Sequence, residues 1–143
     1  MFKKVSAVTP LDNYKLLVVF ANGGIKTYDV KPLFEKWPAF KALKAISGFF
    51  NQVTVDAGGY GISWDDDIDL SCDELWANGT AFESPFLNIL SFRDATDIWG
   101  LNESTLRKAV AYKKLVEGID VRKYGKQWVV SKEAMLREYG EPK

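Results

Sequence analysis

The chain has 143 residues, of which 47% are apolar and 14% aromatic, so it can fill a hydrophobic core and is not intrinsically disordered. It contains no histidine and a single cysteine, Cys72, which excludes an imidazole metal site, a histidine-dependent catalytic triad and an internal disulfide. The N-terminus has no secretory signal, and no apolar run is long enough to span a bilayer. We therefore expect a soluble cytoplasmic protein with no membrane partner.

The net charge of zero conceals an uneven distribution. Residues 1–80 carry 8 Lys and no Arg against 10 acids, a net charge of −2, whereas residues 81–143 carry 11 Lys and Arg against 9 acids, a net charge of +2. The segment from Glu103 to Lys132 has 8 basic residues against 3 acidic ones, a net charge of +5. A local basic surface is typical of proteins that bind a polyanion such as DNA.

The first half of the chain begins with a hairpin signal. Residues 14–21 (YKLLVVFA) predict a strand, the Asn-Gly-Gly that follows predicts a turn, and residues 25–30 (IKTYDV) predict the partner strand. Residues 38–48 begin with proline, end with glycine and place apolar residues such as Leu43 and Ile46 on one helical face. We expect this helix to cover the sheet.

Two further strands are expected at residues 49–55 and 60–64, and a Gly-Gly turn lies between them. In the second of these strands the alternation places Tyr60, Ile62 and Trp64 inward. The predicted fold class is therefore α+β, and the first half of the chain is expected to be a small antiparallel sheet with covering helices.

Residues 65–76 (DDDIDLSCDELW) place acids at alternate positions, as a calcium loop does. Leu70 stands where that loop needs glycine, and Trp76 stands where it needs a bidentate glutamate. A capping box of Ser71 and Glu74 that opens a short helix is the better interpretation. We expect no metal, no cofactor and no enzymatic activity.

Residues 91–140 carry the spacing of a helix-turn-helix. Ser91 begins a helix with a buried stripe at intervals of three and four residues, and Gly100 ends it. Asn102 is expected to cap a second helix, whose buried side includes Leu106. Two helices joined this tightly must cross steeply, as they do in the motif that reads DNA.

A wing follows the two helices. Residues 120–124 and 126–130 predict two short strands that turn at Gly125, and Ser131 is expected to cap a last helix that packs on the first two. The basic residues expected to cluster near the tip of the wing are Arg122, Lys123 and Lys126.

In this arrangement the second helix enters the major groove with its N-terminal residues toward the bases, and the wing contacts phosphates. Arg107 has the fork that recognises guanine or a phosphate, and Asn102 either caps the helix or reads adenine. The candidate DNA-binding residues are Asn102, Ser104, Thr105, Arg107, Lys108, Lys113, Lys114, Arg122, Lys123 and Lys126.

Both halves resemble known families. The YKLLVVFANG hairpin and the run FFNQVTVDAGGYGISWDDDIDLSCDELW resemble the domain of unknown function 2442 family, which has no established activity. This resemblance implies a small α+β module that acts in regulatory or toxin–antitoxin-like pairs. The segments SFRDA, LNESTLRKA and YGKQWVVS resemble the winged helix-turn-helix of excisionase and MerR-type proteins.

The predicted organisation has a domain at residues 1–80 for partner binding or dimerisation, an apolar connector at residues 81–90, and a winged helix-turn-helix domain at residues 91–143. The connector is too apolar to remain in water, so we expect it either to dock the two domains or to join two chains. We expect a transcription regulator that binds double-stranded DNA as a homodimer and has a small protein partner. The alternative is an antitoxin-like adaptor whose main role is protein–protein interaction.

Overall fold

The computed structural model describes residues 2–142, which divide into two compact units between Ser84 and Pro85. Each unit has its own hydrophobic core. All strand pairs within the sheets are antiparallel and are accompanied by helices, which confirms the predicted α+β class. None of the described helices has the length and apolar character that crossing a membrane requires.

The first unit contains two sheets, with strand orders β1-β2-β3-β7 and β4-β5-β6. The predicted hairpin is present as β2 and β3, and Leu16, Val18 and Phe20 alternate along β2 into the core. The elements are β1 (Val5–Leu11), β2 (Lys15–Phe20), β3 (Ile25–Asp29), α1 (Leu33–Lys36), α2 (Ala42–Ala45), β4 (Thr54–Val55), β5 (Gly61–Asp65), β6 (Ile68–Ser71), α3 (Cys72–Asn78) and β7 (Thr80–Ala81).

The helix predicted for residues 38–48 is wrong in its length. A 3-10 turn, Pro38–Lys41, leads into the single turn of α2, and Ile46 is already extended. Phe40 and Leu43 are buried as expected, but Ile46 is 56% exposed. The apolar spacing correctly identified the residues that face the core, and the helix ends at Ala45, just before the exposed Ile46.

The predicted strands of residues 49–64 are also shorter than expected. A 3-10 turn occupies Phe50–Gln52, only Thr54–Val55 forms β4, and Tyr60 lies outside β5 with 49% of its surface exposed. Conversely, the strand β6 was not predicted. Ile68 and Leu70 are both buried and alternate with exposed acids, which is the two-residue period of a half-buried strand.

The acidic stretch is a hairpin followed by a capped helix. The Asp65 carboxylate accepts hydrogen bonds from the backbone N–H groups of Asp67 and Ile68, both at 2.9 Å, and so closes the turn between β5 and β6. The Ser71 hydroxyl accepts from the Glu74 N–H at 3.1 Å, which confirms the Ser71 half of the predicted capping box. The Glu74 carboxylate accepts from Tyr28 and Asn78 instead. Within residues 2–142 no three His, Cys, Asp or Glu side chains are grouped so that they could hold a metal ion.

The second unit has the predicted order of helices and wing. The Ser91 hydroxyl caps its first helix by accepting from the Asp94 N–H at 3.0 Å, and Gly100 ends that helix in the left-handed conformation. Only residues 100–102 separate it from the next helix. The elements are β8 (Ile89–Ser91), α4 (Phe92–Trp99), α5 (Glu103–Ala111), β9 (Val121–Tyr124), β10 (Gln127–Ser131) and α6 (Lys132–Tyr139).

The sheet of the second unit has three strands, in the order β8-β10-β9, whereas the sequence predicted two. The additional strand, β8, takes residues that we had assigned to the connector. Leu90 pairs with Val130, and both are buried in the core of the second unit. Part of the apolar character of the connector therefore belongs to this core.

A buried carboxylate fixes the segment between α5 and the wing. Asp120, which is 6% exposed, accepts a hydrogen bond from the Val116 N–H at 2.9 Å and pairs with the Arg137 guanidinium at 3.0 Å. The hydrogen bond from Arg137 and that from Val116 hold the pKa of Asp120 below its usual value. The carboxylate thereby joins α6 to the strand β9, which it directly precedes.

Replacing Asp120 with Asn should lower the stability of the second unit by about 1–3 kcal/mol, because the Arg137 and Val116 donors lose their charged acceptor. The pKa of Asp120 is lower in the folded chain than in the unfolded one (about 3.9). Its contribution is therefore complete above about pH 5 and is lost as the pH falls through the folded pKa. Thermal unfolding between pH 7 and pH 3 should show a weaker pH dependence for Asp120→Asn. An unfolding curve like that of the exposed control Glu141→Gln would contradict this assignment.

Two glycines of the first unit test its packing, because both have φ of +79° but only one is crowded. A Cβ added to Gly59 would lie 2.5 Å from the carbonyl oxygen of Val5, whereas nothing lies within 4 Å of one added to Gly48. Gly48→Ala should cost about 1–2 kcal/mol for the left-handed backbone alone. Gly59→Ala should cost about 1–3 kcal/mol more, because β1 must shift. Urea denaturation measures both, and equal losses would contradict the close approach.

Candidate nucleic-acid interface

The exposed face of α5 is the first part of the candidate interface. Leu106 and Ala109 are buried, so the opposite side of the helix faces outward and presents Ser104, Arg107 and Lys108. These three predicted residues therefore share one surface. A helix that projects small and basic side chains in this way can approach the floor of a major groove closely.

Thr105 and Asn102 differ from what the sequence suggested. Thr105 is half-buried at the margin of the exposed face, so it presents less of its side chain to solvent than Ser104, Arg107 and Lys108 do. Asn102 occupies the N-cap position, but its side chain makes no capping hydrogen bond. The Thr105 N–H instead donates to the Asn102 carbonyl oxygen at 3.0 Å, which satisfies the donor that a cap would serve. The exposed Asn102 amide is therefore not used as a cap.

An ion pair lies across the first turn of α5. Arg107 NH1 is 3.2 Å from Glu103 Oε2, four residues earlier, and the two side chains are 56% and 45% exposed. The pair leaves the remainder of the Arg107 guanidinium facing solvent. Glu103 therefore contacts the arginine whose fork suits a guanine or a phosphate.

The two lysines after α5 have separate positions. Lys113 has a left-handed backbone with φ of 66°, which turns the chain away from the helix axis. Lys114 places its ammonium 5.0 Å above the ring of Tyr139, toward α6. Both side chains are exposed and carry charge available to phosphates, but the turn at Lys113 removes them from the helical face of Arg107.

The wing presents its basic residues on opposite faces, which corrects the predicted cluster. Arg122 is paired with Val129, whereas Lys123 is paired with Trp128, and successive side chains of a strand point to opposite sides. Lys123 lies 5.8 Å from the Trp128 ring on the side that carries the core residue Val121. Arg122 lies on the outer side. We expected the three cations to cluster near one tip, but the alternation of side chains along β9 separates Arg122 from Lys123.

The tip itself is a two-residue turn that contains Lys126. Gly125 has φ of 61°, as primed hairpin turns require, and the flanking residues Tyr124 and Gln127 are paired. Lys126 is therefore exposed in a short turn that is closed by paired residues on both sides. A cation in this position can reach a phosphate without ordering a flexible loop.

Sequence reasoning missed one side chain of the wing, Tyr124. Its ring is 56% exposed and lies 4.7 Å from the Arg122 guanidinium, two residues earlier on the same strand face. The stacking holds Arg122 on the outer side of the wing. The two-residue separation within a predicted strand was the signal that could have identified this pair.

The α4 helix connects the two parts of the candidate interface. It contacts α5 on one side and the wing strand β10 on another, and Phe92 stacks on Trp128 with ring centroids 5.6 Å apart. The positions of α5 and the wing therefore both depend on packing against α4.

Cys72, the single cysteine, is buried in the first unit and is not suited to act as a nucleophile. Burial, with the neighbouring Asp73 charge, raises the pKa of its thiol, so the thiolate that nucleophilic chemistry needs is disfavoured. The Tyr28 hydroxyl is likewise occupied, since it donates to Glu74 Oε2 at 2.7 Å and burial raises its pKa.

Comparison with known families divides the chain in the same way as its structure. Residues 5–81 match the family described as "Protein of unknown function (DUF2442)", and residues 83–143 match the family described as "Helix-turn-helix domain". No curated protein and no solved structure gave a match. Both predicted resemblances are confirmed, and a helix-turn-helix is a fold that suggests DNA binding. The chain thus belongs to the DUF2442 family and joins that domain to a C-terminal helix-turn-helix domain.

Proposed function

We propose that this protein is a cytoplasmic transcription regulator that binds specific sites on double-stranded DNA through residues 85–142. The observation that carries the proposal is the combination of the outward face of α5 and the wing turn at Lys126 in one helix-turn-helix domain. Ser104, Arg107 and Lys108 would face the bases. Lys126 would bind a phosphate and position the domain on the duplex.

The charge of the protein limits how it can bind. Because the whole chain is neutral, attraction to any DNA sequence is weak, and occupancy of a site must come from specific contacts or from more than one chain. We infer that two copies bind one site, since helix-turn-helix dimers contact two half-sites about one helical turn apart. No catalytic step is part of this proposal.

The first unit would supply the association between chains. Its surface includes two exposed aromatic residues, Phe2 and Tyr60, whose rings pack edge to face with centroids 5.2 Å apart. Exposed aromatic side chains are enriched at protein interfaces. The same observation supports the second candidate function, an adaptor that binds a small protein. Light scattering that shows a monomer at every concentration, alone and with DNA, would contradict the dimer but not the adaptor.

Fluorescence anisotropy of labelled duplexes at graded salt tests DNA binding directly. If about four phosphates are neutralised, log K should fall with log salt with a slope of about −3.6. Lys126→Ala should reduce the magnitude of that slope by about 0.9 for every sequence, because it removes one phosphate contact. Lys41→Ala, an exposed lysine of the first unit, is the matched control and should leave the slope unchanged.

The duplexes should include the region upstream of the gene itself and an unrelated sequence of equal length. The proposal predicts tighter binding to one fragment and, above the dissociation constant, a stoichiometry of two chains per site. Absence of salt-dependent binding to every fragment would refute it.

A further inference from the structure

The ion pair of Glu103 and Arg107 is placed where α5 would meet DNA. Glu103 is the first residue of α5, and Arg107 lies one turn later on the outward side. Their contact is a single one, from NH1 to Oε2. Among residues 2–142 no second partner is found for either side chain, so the Nε and NH2 edge of Arg107 and the Oε1 atom of Glu103 remain available.

The pair needs an explanation beyond helix stability. A carboxylate in the first turn interacts favourably with the helix dipole, but a solvent-exposed ion pair contributes little to folding. On a surface that faces DNA, the same carboxylate repels every phosphate that approaches. A neutral residue at position 103 would give tighter binding to DNA in general.

We propose that Glu103 and Arg107 read DNA bases as a unit and make Glu103 a specificity-determining residue. This inference rests on the proposed function. Arg107 donates through its Nε and NH2 edge to O6 and N7 of a guanine, and Glu103 accepts through Oε1 from the N4 amino group of a cytosine. The bond between the two side chains holds the guanidinium in place before DNA arrives, which lowers the entropy lost on binding.

The geometry of the helix fits two neighbouring bases. The two residues are four positions apart and so lie about 6 Å apart along the helix axis, and base pairs are about 3.4 Å apart. Side chains at this spacing reach bases that are paired or lie one to two steps apart. The site that α5 prefers therefore contains a guanine and a cytosine in the major groove at that separation.

Glu103 acts by rejecting the wrong sequences as well as by recognising the right one. At a site without the cytosine amino group, the carboxylate faces phosphates and acceptor atoms with no hydrogen bond in return. At the correct site the amino group donates a hydrogen bond to the carboxylate and so compensates for its lost hydration. The acid therefore weakens non-specific binding and increases the ratio of specific to non-specific affinity.

The test uses the full-length chain and duplexes selected from a randomised library by repeated binding and amplification. The enriched duplex and a mixed-sequence duplex are then titrated with the wild type, Glu103→Gln and Glu133→Gln. Glu133 is the matched control, because it is an exposed acid in the first turn of α6 in the same unit. We expect Glu103→Gln to lower the ratio of affinities at least about fivefold, by weakening the enriched site and strengthening the mixed one. Glu133→Gln should leave the ratio unchanged.

Arg107→Lys provides a second measurement, because it keeps the charge and removes the fork. This variant should lower the ratio of affinity for the enriched duplex to affinity for the mixed one, while the dependence of binding on salt stays as in the wild type. If the wild type selects a site but Glu103→Gln keeps the same ratio, the inference is wrong and the proposed function stands. Selection of a site that lacks guanine and cytosine at the expected separation would likewise overturn the inference and leave the proposed function standing. If the wild type enriches no sequence, both fail.

Discussion

The buried stripe of α4 is the interaction on which the second unit depends. Phe92, Ala95 and Trp99 are at most 3% exposed, and the helix that carries them contacts α5, α6 and two strands of the sheet. The Trp99 indole N–H donates to the Gly140 carbonyl oxygen at 2.8 Å and so fixes the end of α6. Because one helix supports both α5 and the wing, their relative position follows from apolar packing, and loss of that packing would disrupt both at once.

Aromatic rings hold several of the basic side chains of this unit. Arg122 lies over Tyr124, Lys123 over Trp128 and Lys114 over Tyr139. Long cationic side chains lose conformational freedom when they bind a phosphate, and part of that loss has already occurred when a ring holds the charged group. In a protein with no net charge, each cation held in this way would lose less conformational entropy on meeting a phosphate. The Asp120 and Arg137 pair has a different role, because it fixes the chain that leads into the wing.

The sequence was most informative where a local rule determines the structure. The serine caps of α3, α4 and α6, the left-handed Gly100 and the apolar spacing of α4 each depend on residues close in the chain, and all are present. Ser104, Arg107 and Lys108 share a face of α5 for the same reason. Asn102 is an instructive exception. An asparagine side chain can cap a helix, but here the Thr105 N–H donates to the Asn102 carbonyl oxygen instead.

The errors arose where distant parts of the chain decide the structure. The strand β8 exists because β10 offers it a pairing edge, and nothing in residues 89–91 alone indicates that partner. The helix expected at residues 38–48 stops early because the core it packs against stops, which the spacing could not show. In the wing, the alternation of Arg122 and Lys123 and the contact of Arg122 with Tyr124 were readable from the strand period. The contact of Lys123 with Trp128 depends instead on the register between two strands.

The central claim is that residues 85–142 contact DNA through the N-terminal turn of α5 and the tip of the wing. Amide chemical shifts of the full-length, isotope-labelled protein, recorded while a selected duplex is added, test it most directly. We predict the largest changes at residues 102–108 and at Gly125 and Lys126, with the first unit little affected. Changes confined to residues 2–84, or changes in the second unit that avoid both α5 and the wing, would contradict the account.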